Sequence, residues 1–136
     1  MKARTARRIY LREAAIMLVV ARLALRLLPP ARVFAWAGRP PRRVRRFATD
    51  ETAWVTWAVD DIGSRRWMNA LCLPRALAAH VMLRRRGIVS RLCLGVARRN
   101  DAVAAHAWVE VGRDKVIGET GAEGFTRLAA FGGVNG

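Results

Sequence analysis

The chain contains two cysteines, Cys72 and Cys93, and two histidines, His80 and His106. These four are the natural starting points for nucleophilic, acid–base or metal chemistry. Cys72 stands where a helix is expected to begin, in Cys72-Leu73-Pro74-Arg75. There, unsatisfied backbone N–H groups and the positive end of the helix dipole favour a thiolate over a thiol. His106 sits near the start of the alternating segment Ala105-His106-Ala107-Trp108-Val109-Glu110-Val111, where a strand emerges from a loop. Taken singly, each has a plainer role, the cysteine as a small buried hydrophobe and the histidine as a packed ring. Together they are what a thiol hydrolase needs: an imidazole that holds the thiolate as an ion pair and later protonates the leaving amine.

A third group must fix the imidazole tautomer, and Glu110, Asp114 and Glu119 are the nearby carboxylates. If Val111 pairs with Val116 across a Gly112–Lys115 turn, Glu119 shares the sheet face of His106 at roughly 5–8 Å between Cβ atoms. Glu110, four residues along the same strand, lies roughly 13 Å away, and Asp114 falls in the turn. Glu119 is therefore the expected partner, on a register whose slip by one residue would turn it to the other face. The backbone N–H of Cys72 is the first candidate oxyanion donor, with Asn69 and Trp67 near it only by position. As a metal set, Cys72, His80, Cys93 and His106 lack the closely spaced ligand pairs of structural zinc sites, so no metal or cofactor is expected. His80 and Cys93 are expected to be packing residues.

The elements that must position these groups follow from the pattern. Residues 7–28 read as a helix, rich in Ala and Leu and stopped by Pro29-Pro30. Arg8 and Arg12, then Arg22 and Arg26, share faces in pairs, leaving Ile16, Leu18, Val19, Leu23, Leu25 and Leu27 to seek an apolar partner. That partner is the domain itself, a second protein or a bilayer surface. Residues 29–49 read as a connector with four prolines and the arginine cluster Arg39, Arg42, Arg43, Arg45 and Arg46. A helix from Asp50, ending in a turn at 60–63, precedes a helix over 73–86 with proline in its first turn, arginines in its last and Gly87 beyond. Strands are expected at 90–97, 105–111 and 116–120, and a short helical or irregular tail at 125–136. The expected class is α+β, helices followed by an antiparallel meander, with residues 1–49 as an N-terminal extension and 50–136 as the chemical domain.

With 136 residues, 53% of them apolar, the chain has room for one core and not for a second full domain. Of the net charge of +15, +12 lies in residues 1–49, with 13 basic side chains against one acidic. Such an excess suits nucleic acid, an anionic membrane or an acidic protein, and no aromatic series of the kind that stacks on bases accompanies it. The uncharged run 14–21 is too short for a membrane span, which needs about 20 apolar residues. Two cysteines make no disulfide framework, so a reducing cytoplasm is the default compartment.

The segments CLPRALAAHVMLRRRGI (72–88), LCLGV (92–96) and AHAWVEV (105–111), led in by REAAIMLVVARLALRLLP (12–29), resemble the transglutaminase-like cysteine peptidases of lasso peptide biosynthesis, the B proteins that remove the precursor's leader. The chain is similar in length to the stand-alone peptidase half of the split systems. The resemblance implies a transglutaminase-like, papain-like core, with Cys72 as nucleophile and His106 as general base and acid. In that family the third residue is usually Asp; here Val116-Ile117-Gly118-Glu119 puts glutamate there, and a backbone carbonyl or Asn-like group is the alternative. The implied partners are the precursor at its leader–core junction, a small leader-recognition protein and an asparagine-synthetase-like cyclase. Two other readings stand beside it: a basic non-catalytic protein binding nucleic acid or anionic membrane, and acyl transfer to an amine in place of water.

Overall fold

Ala14, Leu18 and Ala21, spaced to fall on one helical face, are buried, and the helix that carries them, α1 (Lys2–Leu27), packs on that face against two later helices. The computed structural model describes residues 2–45, 49–118 and 124–133. After α1 come α2 (Pro30–Ala37), α3 (Thr49–Gly63), α4 (Cys72–Arg85) and four strands, β1 (Arg91–Arg99), β2 (Ala102–Val111), β3 (Asp114–Ile117) and β4 (Thr126–Gly132). The expected α+β order holds: helices first, then an antiparallel sheet in spatial order β3-β2-β1-β4.

One core joins the helices to one face of the sheet. Val55, Val59, Leu77, Met82 and Leu83 from α3 and α4 meet Leu92, Val109 and Ile117 from the strands. Tyr10 of α1 stacks on Trp54 of α3 at 5.6 Å, and Trp54 meets Trp57 edge-on. Thus α1 finds its apolar partner in the domain itself along the Ala14–Leu18–Ala21 face. Ile16, Val19, Val20, Leu23 and Leu27 remain exposed. None of the described helices is long and apolar enough to cross a membrane.

Two elements differ from expectation. Residues 30–37, expected within the connector, form α2, because Pro30 occupies a first-turn position where its missing N–H costs nothing. Phe34 of this helix stacks on Phe131 at 4.8 Å. Thr126–Gly132, expected as helical or irregular, pairs antiparallel with β1 through a bulge at Leu94/Gly95. A non-local pairing supplies that strand, and local pattern does not reveal it.

Buried His80 ties α4 to α2 and to the residue that leads into β1. Its Nε2–H donates to the Ala37 carbonyl at 2.6 Å, and its Nδ1 accepts from the Ser90 hydroxyl at 2.7 Å. The ring therefore packs inside the fold, and burial pushes its pKa below the usual value.

Candidate active site

Cys72 is the first residue of α4, half-buried, with Leu71 before it in extended conformation and no side chain capping the helix start. The loop that delivers it is closed from within. Ala70 N–H donates to the Gly63 carbonyl at 2.9 Å. Arg75, one turn into α4, donates from Nε to the Ala70 carbonyl at 2.8 Å and from Nη2 to the Gly63 carbonyl at 2.9 Å. A Cβ on Gly63 would stand 2.8 Å from Arg75 Nε, so glycine lets the guanidinium lie flat against the chain. Arg75 thereby ties the end of α3 to the helix that carries the thiol.

On β2, Ala107 and Val109 join the core under the helices, whereas Trp108 packs with Cys93 and Phe125 on the other face. By strand alternation His106 belongs to the Trp108 side, its ring centroid 6.1 Å from that of Trp108 and 5.3 Å from that of Phe125. The last rung between β2 and β3 pairs Val109 with Ile117. Three residues beyond that rung, at the open margin of the ladder, His106 borders the same cavity as Cys72. The cavity, about 330 Å³, is also lined by Asp60, Arg75 and Gly118.

The orientation of the imidazole is set by the backbone. His106 Nε2 lies 2.9 Å from the Gly118 carbonyl oxygen, which can only accept, so Nε2–H donates and the neutral ring keeps its lone pair on Nδ1. Gly118 has φ +76, and a Cβ there would meet the Ala107 carbonyl oxygen at 2.8 Å. Only glycine holds this carbonyl in place without strain.

The strand register corrects the argument that placed Glu119 beside His106. Val111 pairs with Asp114 across a two-residue turn, and a shift between Val109 and Glu110 follows, in place of the expected Val111–Val116 pairing. Asp114 opens β3, and Glu119 lies outside the described residues. Glu110 is committed elsewhere, accepting from the Trp108 indole at 2.7 Å and from Arg91 at 3.0 Å. Burial pushes its carboxyl up, but the hydrogen bonds from Trp108 and Cys93 and the charges of Arg91 and Arg127 outweigh this and hold it below the usual range.

Cys93 is buried beneath Trp108, its thiol pushed up to about 11 by burial and by the Glu110 carboxylate, so it stays a thiol at neutral pH. Cys72, His80, Cys93 and His106 thus occupy separate environments, except that Cys72 and His106 share the cavity. No group of three metal-ligating side chains forms among the described residues. Asn69, at φ 42, and exposed Trp67 do not line the cavity.

Asp60, Arg75 and Gly118 escaped the sequence reading. Asp60 lies 3.8 Å from Arg75, and burial pushes its carboxyl above the usual value against the pull of that guanidinium. Arg75 follows Cys72 by three residues, one helical turn, and that spacing was the signal available for it.

Comparison with protein families matches residues 15–130 to the transglutaminase-like superfamily. Comparison with curated proteins and with solved structures returns no match.

Proposed function

From the premise that the chain belongs to the transglutaminase-like superfamily, we propose that it is a cysteine peptidase that removes the leader from a lasso peptide precursor. The observation that carries the reading is the cavity bordered by both Cys72 and His106, with the ring held through Nε2 by the Gly118 carbonyl. The motifs 72–88, 92–96 and 105–111 supply the narrower substrate class by resemblance.

In this reading the Cys72 thiolate adds to the carbonyl carbon of the leader–core bond. The oxyanion meets the backbone N–H groups at the uncapped start of α4, that of Cys72 among them. The C–N bond breaks, and the departing amine takes its proton from the His106 imidazolium, leaving the leader as a thioester on sulfur. Water then gives a proton to His106 Nδ1 and attacks the thioester, restoring the thiolate and releasing the leader as a carboxylic acid that loses its proton to solvent. The Gly118 carbonyl keeps the ring turned for both transfers, and Glu119, next in sequence, is the carboxylate proposed for the same task. A leader-recognition protein presents the precursor and an asparagine-synthetase-like cyclase receives the core, in a cytoplasm that keeps Cys72 reduced.

The test is cleavage of a lasso precursor by the purified chain with its leader-binding partner, read by mass spectrometry. Cys72→Ala abolishes cleavage, and His106→Ala lowers the rate by about 10²–10⁴-fold. Wild-type cleavage by Cys72→Ala contradicts the proposal.

A further inference from the structure

A broad groove lies at the other end of the helix that carries Cys72. Arg39, Arg42 and Arg43 of the connector face Arg84, Arg85 and Arg86 of α4 across a groove of about 1020 Å³. The two segments are fastened to each other. Arg45 N–H donates to the Gly87 carbonyl at 2.8 Å, and the Arg45 guanidinium pairs with Glu51 at 2.7 Å. Gly87, at φ +76, has the Arg43 carbonyl so close that a Cβ there would collide with it. The connector is therefore laid on α4 in one arrangement, and the groove is built into the fold.

Charge in the groove is unbalanced. Glu13 of α1 pairs with both Arg85 and Arg86, one negative charge against two, and Glu51 pairs with Arg45. Among the described residues no carboxylate pairs with Arg39, Arg42 or Arg43. Arg84 donates to the carbonyls of Trp36 and Arg39, which are not charged partners. Like charges gathered in a concavity in excess of their counter-charges raise the local potential, and an anionic ligand relieves it.

The form of the groove selects among anions. Each of its two aromatic rings already has an arginine over one face, Arg84 at 3.9 Å over Trp36 and Arg86 at 4.6 Å over Tyr10, and two isolated rings make no series on which successive bases could stack. A trough walled by two chain segments does not lie flat on a bilayer, whereas an extended peptide fits into it. Guanidinium forks pair bidentately with carboxylates. We propose that this arginine groove binds an acidic stretch of polypeptide. The proposal deepens the peptidase reading, and rests on it where the peptide is taken to be part of the substrate.

The 14 residues of α4 put the groove about 20 Å from Cys72, a span that takes about six residues of extended chain. Binding and cleavage are thus measurable apart. The experiment is fluorescence anisotropy with a labelled deca-glutamate peptide at physiological salt, on the full chain, Cys72→Ala and the double variant Arg42→Glu/Arg43→Glu. Circular dichroism confirms that the variants keep the fold. The expected result is saturable binding by wild type and Cys72→Ala alike, weakened at least tenfold in the double variant, with deca-glutamine failing to bind. No saturable binding, or equal binding by the double variant, overturns the proposal. So does tighter binding of a labelled single-stranded oligonucleotide or of phosphatidylserine vesicles at the same arginines. Peptide binding without precursor cleavage overturns the peptidase reading alone.

Discussion

In the proposed chemistry one backbone position stands out, Gly118, because its carbonyl accepts the hydrogen bond from His106 Nε2–H and its φ of +76 excludes any easy replacement. A Cβ there strikes the Ala107 carbonyl oxygen at 2.8 Å, so Gly118→Ala shifts the acceptor and with it the ring. Misplacing a catalytic group by about 1 Å costs about 10²-fold in rate. Gly118→Ala is accordingly expected to lose about that much precursor cleavage while the thermal transition persists; a wild-type rate would transfer the orienting role to Glu119. Cys72 was legible in the sequence because it opens α4, an element with a strong local pattern. His106, expected where a strand emerges from a loop, is instead the fifth residue of β2 and pairs with Gly95, because the strand starts earlier, at Ala102; only its place in the Ala105–Val111 alternation could be read. Gly118 was not legible, since its role depends on which strand rung comes last.

Among the elements, α4 was the most readable: proline in its first turn, arginines in its last and Gly87 after it mark both ends locally. The hairpin register was less so. The alternation in β2 fixes which residues share a face but not where the turn closes, and the shift at Val109/Glu110 moved the pairing. α2 was hidden by Pro29-Pro30, which end α1 and also begin the next helix. The tie between α2, α4 and Ser90, which leads into β1, through His80 has a pH consequence. The folded ring is held neutral, burial setting its pKa below the ordinary 6.5 with the Arg84 charge adding to the fall and the Ala37 hydrogen bond opposing it. The unfolded chain therefore binds the proton more readily. Stability is fully present above about pH 6.5 and falls as the pH drops through 6.5 toward the lowered value. Thermal melting should show this decline between pH 7 and pH 5, and His80→Gln, though less stable throughout, should flatten it; an equal slope in both proteins would refute the assignment.

For the molecule as a whole, part of the basic excess that suits nucleic acid, an anionic membrane or an acidic protein has a location and a shape: four of the 13 basic residues in 1–49, namely Arg39, Arg42, Arg43 and Arg45, line one groove. That groove lies where the connector meets the end of α4, about 20 Å along the helix from the cysteine, so one helix carries a candidate nucleophile at its start and the proposed anion-binding groove at its end. Composition placed the arginines of residues 1–49. Only the fold brought Arg84, Arg85 and Arg86 to face them. The central claim is that the Cys72 thiol attacks the peptide carbonyl from the cavity it shares with His106. Its most direct test is to mix wild-type protein, its leader-binding partner and precursor, quench with acid within one turnover, and weigh the intact protein and its Cys72 peptide. The account predicts a covalent adduct of the mass of the leader acyl group, confined to the Cys72 peptide and absent in Cys72→Ala. Precursor cleavage by the wild type at an undiminished rate in Cys72→Ala, with no adduct on Cys72, would contradict it.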